Sequence, residues 1–275
     1  MLKIQFDLSE FEAVEVVPLA DVHMGNTLVS DAELKKTIDY ILEEPDDPKM
    51  ARICLLNGDL TESVTKTTKA GEIFEQTMSP SVQVATMINY LKPLAETSKK
   101  YPQGKILSYC AGNHDNGRYK DTGISASETI AVGLGLQDRY SEDGCYCFIK
   151  LKMVSKQDSV VYYTLYNQHM SGGGSTIGGK ANRVAKISNG VIAQCIVGAH
   201  THSPLTFKED IIMPSHKMMN LTQNTITYVI CSSFLRYGGY AQRSGLKPTS
   251  IAVPRIFIYQ ENHGGGRYLK TEVLL

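Results

Sequence analysis

Five short polar clusters in this sequence combine imidazole and carboxylate groups: Asp21-Val-His23, Gly58-Asp59, Gly112-Asn113-His114-Asp115, His169, and Gly198-Ala-His200-Thr-His202. They contain five of the seven histidines in the chain. Imidazole nitrogens and carboxylate oxygens are good ligands for Mn²⁺, Fe, Zn²⁺ and Ni²⁺. In Asp-x-His and His-x-His on an extended backbone, residues i and i+2 face the same way, so each pair can aim two ligands at one centre. A carboxylate has two oxygens and can bridge two ions. The donors are too many for one metal and about right for two.

Such donors converge only if the elements beneath them do. Val14 to Leu19 reads as a buried strand, Ile53 to Leu56 as a second and Ile106 to Cys110 as a third. Between the first two, Ser30-Asp-Ala-Glu33 has the pattern of a capping box, followed by Leu34, Ile38, Ile41 and Leu42 at helical spacing. Val84, Met87, Ile88 and Leu91 mark another amphipathic helix, bent at Pro93. From residue 145 the pattern turns strand-rich: 145–153, 160–167, 191–198, 225–232 and 251–259. The first half resembles βαβ units and the second half hairpins, which a mixed α/β sandwich accommodates. Each polar cluster lies just past the C-terminal end of an apolar run, the edge of an α/β sheet where sites form. Singly the clusters say little, since Gly-Asp is a common turn and an isolated histidine is usually structural. Five in order, each after a strand, point to one centre.

The composition sets the bounds. The chain has 275 residues, with 28 Lys+Arg balanced by 28 Asp+Glu, which excludes a strongly basic nucleic-acid-coating protein and an acidic tail. Hydrophobic residues at 42% exclude disorder as the main state. No apolar stretch approaches the roughly 20 residues of a membrane span. Asp7, Glu10, Glu12 and Glu15 interrupt any signal-peptide core, so the expectation is a cytoplasmic protein with no membrane partner, a single domain over 1–275. Cysteines 54, 110, 145, 147, 195 and 231 mostly fall in apolar strand-like runs and read as reduced, buried residues.

The motifs DVH at 21–23, GD at 58–59, GNHD at 112–115, His169 and GAHTH at 198–202 together resemble the calcineurin-like metallophosphoesterase family, over about residues 14–202. The resemblance implies a four-layer α/β/β/α sandwich with two mixed β-sheets. It implies two divalent metal ions, Mn²⁺ first, with Fe, Zn²⁺ or Ni²⁺ as the other candidates. Asp21, His23, Asp59 and His202 would hold one ion. Asp59, Asn113, His169 and His200 would hold the second, with Asp59 as the bridge. It further implies in-line attack on phosphorus by a metal-bridging hydroxide, with His114 as general acid. Many members orient that histidine with an acid three residues after the bridging Asp; here the position is Glu62, longer than the usual Asp. Asp115 reads as a local backbone cap, and His216 and His263 as surface histidines.

The departures narrow the branch. Leu60-Thr61-Glu62-Ser63 replaces the Asp-Arg-Gly of the protein Ser/Thr phosphatases, and GNHD replaces their GNHE. The lipid-precursor pyrophosphatases carry Arg where His114 stands. GNHD with GxHTH looks more like the phosphodiesterase and nuclease branches, and the long loop 61–83 and the glycines after His169 resemble phage-borne members. The expected partner is therefore a phosphodiester, either a small nucleotide or a nucleic acid; a DNA/RNA nuclease, a phosphomonoesterase and a non-catalytic scaffold are the alternatives. Gly174 to Ala181 nearly spells a P-loop but lacks its final hydroxyl. Two further features bear on phosphate: Lys180 in that run, and the segment 236–247 with Arg236, Arg243, Lys247, Tyr237 and Tyr240. Lys66, Lys69, Lys120, Arg118, Arg183 and Lys186 lie in or near the motif loops and could form a local basic rim.

Overall fold

Three apolar runs buried on both faces can only be inner strands of a covered sheet. In the computed structural model these are β2 (Ala13–Leu19), β3 (Met50–Asn57) and β4 (Ile106–Cys110), numbered from β1 (Leu2–Leu8), and they lie side by side and parallel. The structure describes residues 1–65, 76–154, 159–174, 176–215, 219–243, 245, 247–263 and 266–275. The readings placed on Lys66, Lys69 and His216 lie outside the described residues, as do those on the side chains of Asp115, Arg118, Tyr240 and His263.

The remaining strands are β5 (Tyr140–Ser141), β6 (Cys145–Lys152), β7 (Val160–Gln168), β8 (Cys195–Gly198), β9 (Leu205–Ser215), β10 (Asn220–Ile230), β11 (Arg255–His263) and β12 (Gly266–Leu274). They form two six-stranded sheets, in the orders β1-β6-β7-β8-β10-β9 and β12-β11-β2-β3-β4-β5. Both mix parallel and antiparallel pairs. Ile4, Phe6, Cys147, Ile149 and Leu165 of the first sheet meet Val14, Val16, Ile53, Leu55 and Ile256 of the second in a core between them. Helices α1 (Asp31–Leu42), α2 (Pro80–Ala95) and α4 (Ala126–Gly133) cover the outer face of the second sheet through Leu34, Ile38, Met87, Leu91 and Ile130. Helix α5 (Ile177–Ala185) covers the first through Val184, against Tyr166, Ile196 and Tyr228. Helix, sheet, sheet, helix: the four-layer α/β/β/α sandwich expected from the sequence is present. No helix among the described residues is long and apolar enough to cross a membrane.

Several local expectations change. Ser30 occupies the N-cap of α1 but makes no side-chain cap bond, and its own N–H donates to the carbonyl of Phe234, the donor a capping box would give to Glu33. The run read as a strand from 191 pairs only from Cys195, and the one read from 251 only from Arg255. Helix α3 (Asn113–Thr122) begins inside the GNHD motif, which read as a loop. All six cysteines are free and buried.

Candidate metal centre

The carboxyl ends of five strands gather the motif residues. Asp21 and His23 follow β2, Asp59 follows β3, and Asn113 and His114 open α3 after β4; His169 follows β7, and His200 and His202 follow β8. Beyond β2 and β3 the two loops stay paired: Asp21 N–H donates to Gly58 O at 3.1 Å, His23 N–H to Asp59 O at 2.9 Å, and Met24 N–H to Leu60 O at 3.0 Å. Ser233 Oγ and Phe234 N–H, past the end of β10, both donate to the Asp21 carbonyl. Nothing in Cys231-Ser-Ser-Phe234 signalled that brace.

The backbone is not extended at these positions, as the sequence reading supposed. Asp21, His23, Asp59, His200 and His202 all have φ between 48° and 77°, in the left-handed region. That conformation is uncommon for residues other than glycine. Asp21 and His23 still reach one donor group, whereas His202 and His200 go to different ones. Among the described non-glycine residues, only Ser63 and Met219 join these five at positive φ. Backbone strain of this kind gathers at functional sites.

Two groups of donors result, each with ligand atoms within 4.8 Å of one another: Asp21, His23 and His202, and Asp59, His169 and His200. A third such group, His23, Asp59 and His114, lies between them. In the first, His23 Nε2 and His202 Nε2 are 3.2 Å apart, and His202 Nε2 stands 3.5 Å from Asp21 Oδ1. Asp21 Oδ1 is buried and accepts no hydrogen bond, while Oδ2 accepts from His200 N–H at 2.9 Å. In the second, His169 Nε2 lies 3.2 Å from Asp59 Oδ2 and 3.1 Å from Asn113 Oδ1. The other Asp59 oxygen accepts His114 N–H at 2.9 Å, so this carboxylate sits on the N-terminus of α3.

The outer nitrogens are already committed. His169 Nδ1 donates to Asn57 O at 2.8 Å and His23 Nδ1 to Glu62 Oε2 at 2.9 Å, which leaves Nε2 of each ring facing the centre. This is how ligating histidines are usually held, with a carbonyl or carboxylate behind the ring. The outcome for Glu62 corrects the sequence reading. Its carboxylate is buried and bonds His23, not His114; His114 Nδ1 donates instead to the main-chain carbonyl of Glu62 at 2.7 Å. The extra methylene relative to Asp, with Ser63 at φ 46°, carries the carboxyl group past His114 to the neighbouring ring.

The electrostatics are those of a site built for cations. Burial would raise the Asp59 carboxyl, but the charges of His169 and His114 overcome it and hold the group well below the usual carboxylate range. Burial opposes protonation of His169, yet the Asp59 carboxylate outweighs it and pushes the ring up to about 10. Burial, with the charge of His169, lowers His200. Two glycines make the close packing possible. A Cβ on Gly112 would lie 2.0 Å from Asp59 Oδ1; one on Gly58, at φ 69°, would lie 2.5 Å from His169 Nδ1.

These residues fit divalent ions. The donors are a mixed nitrogen and oxygen set, and a buried carboxylate oxygen without a hydrogen bond is costly unless something positive meets it. Two stacked mixed sheets carry these loops at one end, as the four-layer sandwich expected from the sequence requires. No family model matches the sequence, and no curated protein matches it. Among solved structures, the chain is similar to a conserved uncharacterized protein, a predicted phosphoesterase, from Streptococcus pneumoniae TIGR4, with TM-score 0.37 and 10% identity over 94% of this chain and 98% of that one. It is also similar to Vacuolar Protein Sorting 29 from Cryptosporidium parvum, with TM-score 0.36 and 9% identity over 95% of this chain and 98% of that one.

Proposed function

We propose that the chain is a metal-dependent phosphoric ester hydrolase that cleaves a phosphodiester of a nucleotide-type substrate. The observation that carries this is the pair of neighbouring donor groups, Asp21, His23 and His202 beside Asp59, His169 and His200, with Asp21 Oδ1 buried and lacking a hydrogen bond between the histidines. Asp21, His23, Asp59 and His202 would hold one divalent ion, and Asp59, Asn113, His169 and His200 the other. When bound, two such ions neutralise phosphoryl oxygens and acidify water. The chain's own groups do the rest. Glu62 and Asn57 fix the tautomers of His23 and His169. His114 donates its Nδ1–H to the Glu62 carbonyl, which orients the ring so that Nε2 would serve as the general acid toward the leaving oxygen. The His23 and His114 rings meet edge to face at 4.6 Å, which supports a role for His114 beside the first donor group.

The test is Mn²⁺-dependent hydrolysis of bis(p-nitrophenyl) phosphate by the wild type, Asn113→Ala and His114→Ala. Loss of an acid–base group costs about 10²–10⁴ in rate, so turnover by the wild type should fall at least 100-fold in His114→Ala with bound metal unchanged. Absence of turnover by a wild type that has bound two ions would overturn the reading.

A further inference from the structure

Helix α5 lies over the loops that carry His169, His200 and His202, and two cations on it point to a second anion site. Lys180 is half-buried and its Nζ donates to Ser203 Oγ, in the residue after His202. Arg183, one turn further on the same face, packs against Gly172, three residues after His169. A Cβ on Gly172 would lie 2.8 Å from the Arg183 guanidinium, and one on Gly174 would lie 3.1 Å from Lys180 N. The glycines at 172 and 174 thus let the chain run close beneath both side chains. Among the described residues neither cation makes an ion pair. Burial of the Lys180 ammonium without a carboxylate to offset it lowers its proton affinity, so an anion arriving there is favoured.

We propose that Lys180 and Arg183 form a phosphate-binding subsite that holds a second phosphate of the substrate, next to the diester being cleaved. This rests on the phosphodiesterase reading of the adjacent centre. The scissile group is already served by the metal-binding donors and His114, whereas Lys180 bonds Ser203, one residue past His202, and Arg183 packs against Gly172, three residues past His169. A compact ammonium and a forked guanidinium, three residues apart, suit the oxygens of a terminal or backbone phosphate. The substrate class is then a nucleotide chain carrying a phosphate beside the scissile bond, rather than a cyclic nucleotide with one phosphate.

The experiment uses thymidylyl-thymidine with and without a 5′-phosphate, with bis(p-nitrophenyl) phosphate as a separate check on wild-type diesterase chemistry. The wild type should favour the 5′-phosphorylated dinucleotide by about tenfold or more in kcat/KM, mainly through KM, as expected for a charge-assisted contact made equally in ground and transition states. In Lys180→Ala/Arg183→Ala that ratio should fall to about one, and Lys180→Arg should restore part of it. If the wild type cleaves bis(p-nitrophenyl) phosphate but shows no preference, or the preference survives in the double variant, the subsite is overturned while the diesterase stands. If nothing is cleaved, calorimetric binding of the two dinucleotides to the metal-free protein decides. A tighter Kd for the phosphorylated one, lost in the double variant, supports the subsite, and equal Kd values overturn it.

Discussion

Glu62 holds two histidines with two different oxygens, and this sets what its loss should do. Its carboxylate fixes His23 and its carbonyl fixes His114. Removing the side chain leaves the carbonyl in place. Glu62→Ala should therefore weaken Mn²⁺ binding by about 10–100-fold, the usual effect of losing a group behind a ligand, with activity recovered by excess Mn²⁺. Titration calorimetry checks the affinity, and a variant that binds Mn²⁺ like the wild type would show that His23 needs no such support. His169 governs the pH dependence. A ligating imidazole must give up its proton, and the Asp59 carboxylate holds that proton on His169 up to about 10 in the metal-free protein. Metal affinity should rise with pH by up to about tenfold per unit from pH 7 to 9, with a proton released on binding. Calorimetry in two buffers of different ionisation enthalpy measures that proton directly. The sign for stability is opposite. Protonated His169 contributes to the metal-free fold fully below its unfolded value of about 6.5. That contribution is lost as pH rises towards the folded value of about 10.

At the scale of elements, one buried network pins the second sheet to its helix. Glu15 of β2 accepts from Arg52 Nε of β3 at 2.7 Å, from Arg255 Nε of β11 at 2.5 Å and from Tyr40 Oη of α1 at 2.8 Å. Arg52 Nη1 also donates to the carbonyls of Tyr40 and Glu43 at the end of α1. Truncating one partner of a buried ion pair leaves the other without compensation. Glu15→Ala should thus cost about 3–5 kcal/mol in urea unfolding, a larger effect than Arg255→Ala, whose side chain is partly exposed. Equal small losses in both variants would mean the network is solvated. None of this was legible in the sequence, because the partners lie on four separate elements. The legible parts were those whose signal is local. Largely apolar runs gave β2, β3 and β4, and the helical spacing from Leu34 gave α1. Helix α3, Asn113-His-Asp-Asn-Gly-Arg-Tyr-Lys-Asp-Thr122, has no apolar stripe to read, and strands β9 and β12 are sheet edges with exposed polar residues, defined by their hairpin partners. The candidate ligands were visible because Asp-x-His and His-x-His concentrate rare residues. The direction of Glu62, the brace from Ser233 and the place of Lys180 against Ser203 depend on contacts distant in sequence.

Across the whole molecule, the donors are divided between the sheets. Asp21, His23, Asp59 and Asn113 follow strands of one, and His169, His200 and His202 follow strands of the other. Two asparagines already cross the gap beneath them: Asn57 Nδ2 donates to Val197 O at 3.2 Å, and Asn167 Nδ2 to Leu56 O at 3.1 Å. The group of Asp21, His23 and His202 and the group of Asp59, His169 and His200 each take members from both sides, so an ion bound to either would tie the two sheets together and bind only the folded chain. At 100 times its Kd such a ligand adds about 2.7 kcal/mol. For a chain of this size that should raise Tm by about 5 °C over the protein in chelator. His202→Ala and His169→Ala each remove a contribution from the first sheet and should lose most of the increase, although the His202 side chain is partly exposed and the His169 side chain is buried. Differential scanning calorimetry with Mn²⁺ and with EDTA separates the outcomes. A rise that survives in both variants would place the metal within one sheet's loops alone, and the two-sheet centre would have to be abandoned.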